Sequence, residues 1–222
     1  QSIGAGGGSI AWLDEVGALR VGPQSSGADP GPACYAKGGT DPTVTDANVV
    51  LGYISPKTFL GGKGNLDTSL SHDAVTRIAQ KAGIETHDMA IGISKIVNAN
   101  MLNGLRQVSV EKGYDPRDFA LVCCGGAGPL HAASLMQTLG IPKTLIPIDP
   151  GNVSSFGMIA ARPRAEESRT FYVGLLEVKV AELDEIFREL TTSATTQLTS
   201  SGVPQEEISI IRSLDMRYQG QT

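Results

Sequence analysis

At 222 residues, the chain is long enough to bury a hydrophobic core and fits one or two domains. Charged residues make up 18%, aromatic residues 5%, and there are 27 glycines, which is typical of a glycine-rich α/β protein and not of a disordered chain. The net charge of -5 and the lack of a Lys/Arg cluster argue against a nucleic-acid groove, and no apolar stretch approaches the ~20 residues of a membrane span.

The N-terminal segments are predicted to be a glycine turn, a hairpin and a long loop. Glycines dominate residues 2–8, and residues 9–13 and 18–22 have the pattern of two short strands around a turn. Residues 23–46 contain strong turn signals, Asp-Pro-Gly-Pro and Gly-Gly-Thr-Asp-Pro. A loop this long inside a compact domain is usually functional or disordered, and its low charge favours an ordered, functional loop.

Three helices are predicted next. The first covers residues 45–51 and begins at Thr45 or Asp46. The second begins at a cap residue, Ser71, and ends near residue 82, and the third runs from Thr86 to about residue 112. One side of the third helix carries a polar stripe, which is either a solvated face or the lining of a polar cleft. The stripe consists of Asn100, Asn103 and Gln107.

A strand, a glycine turn and a helix are predicted over residues 119–139. Residues 119–124 form a short apolar run typical of a buried strand, and the glycines that follow interrupt it. Pro129 suits the first turn of a helix, because its missing N–H has no partner there. A strand, a glycine turn and a helix in succession often bind phosphorylated ligands in α/β proteins, because the start of the helix offers free N–H groups. The alternative is a purely structural turn.

The C-terminal part is predicted to contain two helices and three strands. A strand at residues 142–147 should pair in parallel with the strand at 119–124, because a helix connects them. A helix follows from Ser154 or Ser155 to residue 160. Residues 170–175 and 208–218 look strand-like, on either side of an amphipathic helix at 180–199.

Cysteine usage and the N-terminus suggest where the protein resides. The count of three cysteines (Cys34, Cys123 and Cys124) is odd and sparse, which predicts reduced thiols and a cytoplasmic location. Three scattered histidines supply too few further ligands for a structural zinc site. The start has no signal-peptide pattern, and it opens without a methionine directly into a glycine run. We therefore expect a fragment of a longer chain.

Four segments together resemble the hydantoinase A/5-oxoprolinase family. They are SIGAGGGSIAWLD at residues 2–14, VGPQSSGADPGPACY at 21–35, GTDPTVTDAN at 39–48 and GGAGPLH at 125–131. That family includes ATP-dependent N-methylhydantoinases, 5-oxoprolinases and subunits of acetone and acetophenone carboxylases. The resemblance implies that the chain has an α/β fold and forms a nucleotide-binding lobe like those of actin, sugar kinases and heat-shock chaperones. It also implies that residues 1–169 are the C-terminal part of the ATPase-like domain, and that 170–222 lead into a truncated domain.

The resemblance further implies two loops that bind ATP from one shared cleft. The first is a phosphate loop, and the second lies on the adenosine side. Asp46 is the candidate catalytic residue and Mg²⁺ ligand, since Mg²⁺ takes one or two carboxylates, and its alternative role is a helix N-cap. His131 either touches the ligand or only packs or caps within the first turn of its helix. The nucleotide-binding candidates are Gly6, Gly7, Gly8, Ser9, Gly125, Gly126, Ala127, Gly128 and His131.

The implied activity is hydrolysis of a cyclic amide after ATP phosphorylates the amide oxygen, with a hydantoinase B-type subunit as a possible partner and an oligomer as the expected assembly. The fragment alone is expected to be inactive, because the first phosphate loop is absent from it. The alternatives are a subunit of a ketone carboxylase and a nucleotide-binding regulatory or assembly subunit without chemistry. A nicotinamide-binding domain is disfavoured, because the glycine loop lacks the Gly-x-Gly-x-x-Gly spacing.

Overall fold

The computed structural model describes residues 3–57, 59, 64–218 and 220, so Ser2, where the predicted glycine turn begins, lies outside the described residues. The chain forms two compact units, Gln1–Phe156 and Gly157–Thr222. The predicted domain boundary at residue 169 stays a prediction. No helix of the described part is long and apolar enough to span a membrane.

The first unit opens with a hairpin packed against three helices. The antiparallel strands β1 (Ser9–Leu13) and β2 (Leu19–Ser25) confirm the predicted hairpin. The helices are α1 (Val44–Val50), α2 (Thr68–Ala82) and α3 (Thr86–Val108). Apolar residues at helical spacing face the hairpin and form the main core. Its buried members are Ala11, Val21, Val44, Ala47, Val75, Ile78, Ala79, Met89, Ala90, Ile93 and Val97.

The helix starts differ from the predicted caps. The N-cap of α1 is Thr43, whose side chain accepts from the backbone N–H of Asp46, while the Asp46 carboxylate accepts from the N–H of Thr43. This reciprocal pair is a capping box, so Asp46 lies inside the first turn and is not the N-cap. Asp67 caps α2, and Ser71 is buried within that helix. The N-caps of α1 and α2 lie before the first apolar residues of each helix, so the apolar periodicity predicted both helices to begin too late.

The predicted strand, glycine turn and helix are present. Strand β3 (Ala120–Val122) pairs in parallel with β4 (Lys143–Leu145), with Leu121 opposite Thr144. Between them α4 (Gly128–Leu139) begins beside Pro129 and ends at Gly140, whose φ of 68° suits glycine. The parallel pairing expected from the sequence is therefore confirmed, although both strands are shorter than the apolar runs.

The second unit centres on one long helix. Helix α5 (Val153–Ala160) precedes it in the chain, and α6 (Val180–Ser200) matches the predicted amphipathic helix. The strands predicted at 170–175 and 208–218 were wrong, because neither segment pairs with a strand in the described part of the chain. The guanidinium carbon of Arg217 lies 5.6 Å from the ring centre of Tyr172, a cation–π contact between these two segments.

Candidate functional site

The two glycine loops that the sequence analysis selected meet in the first unit. A Cβ atom placed on Gly7 would lie 3.6 Å from the Cβ atom of Ala127, and 2.8 Å from Oγ1 of Thr45. Only glycine fits this position without displacing a neighbour. The loop at residues 6–9 therefore lies directly against the loop at residues 125–128.

The carbonyl groups of the first loop are held by the protein itself. The oxygen of Gly6 accepts from the N–H of Ser9 at 3.1 Å. The oxygen of Gly7 accepts from N of Thr45 at 2.8 Å and from its Oγ1 at 2.9 Å. The oxygen of Gly8 accepts from N of Ser26 at 2.9 Å. All three carbonyl oxygens thus point at donors of the protein itself.

The same contacts orient the N–H groups of the first loop. In a trans peptide the N–H points opposite to the carbonyl of the preceding residue. Anchoring the Gly6 and Gly7 carbonyls therefore turns the N–H groups of Gly7 and Gly8 the other way. Neither donates to an acceptor within the described residues. Successive N–H groups left free in a turn form a concave site that favours an anion.

Ser9 is part of the loop's internal bracing. Its side chain is buried, and its Oγ accepts from the N–H of Gly6 at 3.0 Å. It is also 3.5 Å from the oxygen of Gly4, at the limit of a hydrogen bond. These contacts give Ser9 a role in shaping the loop, and its predicted contact with a ligand stays a prediction.

The second loop also presents unpaired N–H groups. Gly125 has a φ of 83°, and its N–H donates to the oxygen of Pro150 at 2.6 Å, which fixes the turn. The N–H groups of Gly126, Ala127 and Gly128 find no acceptor in the described parts of the chain. They stand at the start of α4, which has no side-chain cap, and the helix dipole adds partial positive charge there. No atom lies within 4 Å of a Cβ built on Gly126, so the space above this residue is open.

His131 lies behind the second loop and is only 1% exposed. Its Nδ1 is 2.7 Å from Oδ1 of Asn98 on α3, so Nδ1 donates, while Nε2 has no partner in the described structure. Burial lowers the pKa of His131, which favours the neutral ring. The geometry favours the packing role that the sequence left open over direct contact with a ligand.

The structure does not support Asp46 as a catalytic residue or a Mg²⁺ ligand. Its side chain is 0% exposed. Its two oxygens accept from backbone and hydroxyl donors at 2.7 to 3.1 Å. A carboxylate saturated in this way has no free lone pair directed at a metal, and the described residues contain no cluster of three or more His, Cys, Asp or Glu that could hold one. The donors are N of Ala33, N of Cys34, N and Oγ1 of Thr43, and Oγ of Ser71.

Two residues of this region were missed by the sequence analysis. Thr45 was considered only as a helix start, although it holds the Gly7 carbonyl. Asn98 was passed over in favour of the stripe that contains Asn100, whose amide donates to the oxygen of Val21 at 3.2 Å. The available signal for Asn98 was a polar residue directly beside Val97 on the apolar face of α3.

A model of the hydantoinase/oxoprolinase family matches residues 1–167, well over half of the chain. The chain belongs to this family. The match includes both glycine loops and the segment that contains Thr45, so the expected family membership is confirmed.

Individual family members give the same result. The chain is 42% identical to the caprolactamase subunit alpha of Pseudomonas jessenii over 225 residues, which is 100% of this chain and 32% of that subunit. The crystal structure of ATP-dependent caprolactamase from the same organism matches with a TM-score of 0.67 and 40% identity, covering 90% of this chain and 29% of that one. A nucleotide-free acetone carboxylase structure matches with a TM-score of 0.76 and 30% identity, covering 93% and 31%. The chain thus has the family's α/β fold and spans about a third of the length of these relatives.

Proposed function

We propose that this chain supplies two backbone loops of the nucleotide site in an ATP-dependent enzyme that hydrolyses a cyclic amide. The observation that carries the proposal is the meeting of the two loops at Gly7 and Ala127, each with N–H groups left without an acceptor in the described residues. The family match supports the activity class, and caprolactamase is itself named as ATP-dependent.

The chemistry of a cyclic amide explains why ATP is needed. Water attacks an amide carbon poorly, and ATP supplies the phosphoryl group that makes this carbon electrophilic. In phosphoryl transfer the protein mainly positions the reactants and neutralises charge. We assign the N–H groups of Gly7 and Gly8, and of Gly126 to Gly128, to the phosphate oxygens. Preorganised backbone donors need no rearrangement when charge develops on the transferring group.

Asp46 does not fit a Mg²⁺ site, because protein donors already occupy both of its carboxylate oxygens. The described residues contain no group of three or more His, Cys, Asp or Glu that could hold a metal ion. We therefore assign no residue of this chain to the metal.

Catalysis is proposed for a larger protein in which this chain is one part. The chain covers 32% of the caprolactamase α subunit, and the name of that relative indicates a further subunit. We propose that groups beyond this chain complete the phosphate contacts and hold the substrate, and that a second, hydantoinase B-type subunit takes part. These 222 residues alone are expected to show no turnover.

A ketone carboxylase subunit is the second candidate. The likeness to acetone carboxylase, with a TM-score of 0.76, favours it. The two functions differ in what stimulates ATP hydrolysis. A cyclic-amide hydrolase responds to lactams, hydantoins or 5-oxoproline, whereas a carboxylase responds to a ketone together with bicarbonate.

The nucleotide role is tested by calorimetric titration of ATP into the whole protein and two variants. Gly126→Val fills the open space above the second loop, and we expect ATP affinity to fall at least ~10-fold with little effect on the fold. Gly157→Val, in α5, is the matched control, because its Cβ also meets no atom within 4 Å. Equal ATP affinity for Gly126→Val and the control would contradict the proposal.

A further inference from the structure

Thr45 holds the first glycine loop from a distant part of the chain. It stands 38 residues from Gly7, and both its N and its Oγ1 donate to the Gly7 oxygen, at 2.8 and 2.9 Å. A carbonyl oxygen has two lone pairs, so Thr45 satisfies this acceptor completely. Thr45 is itself buried and its bond to the Gly7 oxygen is partly buried, which limits competition with water.

This contact fixes the direction of a neighbouring donor. The carbonyl of Gly7 and the N–H of Gly8 belong to one planar peptide and point in opposite directions. Holding the oxygen on Thr45 therefore directs the Gly8 N–H away from α1. If that peptide rotated, the loop would present a carbonyl dipole to an anion in place of a donor.

Asp46 fixes the backbone from which Thr45 reaches the loop. Its carboxylate joins three separate segments: the turn at Ala33 and Cys34, the start of α1 at Thr43, and α2 at Ser71. These bonds lie in the interior, where burial also raises the pKa of the Cys34 thiol to about 12. A buried carboxylate with this many donors holds its surroundings rigidly, because each lost bond would leave an unsatisfied group.

We propose that Asp46 and Thr45 are positioning residues that keep the Gly7 carbonyl turned away from the nucleotide and the Gly8 N–H turned toward it. This inference rests on the proposed function. In this inference Asp46 does not have the role in the chemistry that the sequence predicted, but positions Thr45, which in turn positions the loop. The contact also explains why residue 7 is a glycine, since a Cβ atom at this position would lie only 2.8 Å from Thr45 Oγ1.

The test compares Thr45→Val with Thr45→Ser in the whole protein. Valine keeps the branched shape but loses the hydroxyl donor, while serine keeps the donor. We expect Thr45→Val to raise the KM for ATP at least ~10-fold with a smaller change in kcat. The variant loses the hydrogen bond from Oγ1 to the Gly7 oxygen and places a methyl group against that oxygen. Thr45→Ser should stay within ~2-fold of the parent.

Two results would overturn the inference: an unchanged KM for ATP in Thr45→Val, or equal damage in Thr45→Ser. A fall in melting temperature with an unchanged KM for ATP would leave Thr45 with a purely structural role. If the parent protein itself binds no ATP, the proposed function fails first, so the two failures are distinguishable. Asp46→Asn, where it folds, should reproduce the Thr45→Val pattern.

Discussion

A Cβ atom on Gly7 would lie 3.6 Å from the Cβ atom of Ala127. Gly7 precedes the hairpin and Ala127 precedes α4, so the contact joins two elements that are far apart in the chain. Each residue stands in a turn with some N–H groups that have no acceptor in the described structure: those of Gly7 and Gly8 in the first turn, and of residues 126–128 in the second. In the proposed nucleotide site the donors are therefore backbone groups, and the side chains act mainly as supports.

Substituting Gly7 should destabilise the protein more than substituting its neighbour. In Gly7→Ala the new methyl group must displace Thr45 Oγ1, which lies 2.8 Å away and is held by a hydrogen bond. We expect a loss of about 1–2 kcal/mol in the free energy of unfolding. Gly6→Ala is the matched control, since no atom lies within 4 Å of its Cβ, and it should change stability by less than ~0.5 kcal/mol. Urea unfolding with equal losses in both variants would contradict the contact.

His131 should make stability fall in mild acid. Burial lowers its pKa in the folded protein, so the unfolded chain binds the proton more readily. From about pH 6.5 downward the unfolded state therefore takes up more protons, and the free energy of unfolding decreases. Above this range the ring is neutral in both states and contributes no pH dependence.

The variant His131→Gln isolates this effect. It removes the titrating ring, so the slope of unfolding free energy against pH between 7 and 5 should be shallower than in the parent. The measurement is a series of chemical denaturation curves across that range. Identical slopes for the two proteins would show that His131 does not titrate differently on folding.

Two of the cysteines, Cys34 and Cys124, should differ sharply in reactivity. Cys34 is fully buried, and burial raises the pKa of its thiol to about 12, so it should resist iodoacetamide in the native protein. Cys124 is exposed and directly precedes Gly125, so it should react first and should be protected by ATP. Peptide mass spectrometry over time, with unfolded protein as the control, measures both. Rapid native labelling of Cys34, or no effect of ATP on Cys124, would count against this view.

Local signals were enough to predict the central αβ unit. The apolar run before Gly125 and the proline at the start of α4 define a strand, a turn and a helix without reference to distant residues. The glycine loops were recognisable for the same reason, because glycine tolerates conformations that other residues avoid. The resemblance of whole motifs then linked two loops that periodicity could not have placed together.

Contacts between distant segments could not be predicted. The role of Asp46 depends on Ser71 and on the turn at Ala33, and no local pattern reveals either partner. The bond between Asn98 and His131 likewise joins α3 to α4 across a long stretch of chain. The strands predicted at 170–175 and 208–218 failed for a related reason, since alternation describes a segment but supplies no partner strand.

Hydrogen–deuterium exchange of the whole protein, with and without ATP, tests the central claim most directly. If both glycine loops bind one nucleotide through backbone N–H groups, ATP should slow exchange in peptides that contain residues 6–8 and in peptides that contain residues 126–128. Peptides from α6 (Val180–Ser200), in the second unit, should be unaffected and serve as the internal control. Protection of only one loop, or of neither at saturating ATP, would contradict the account.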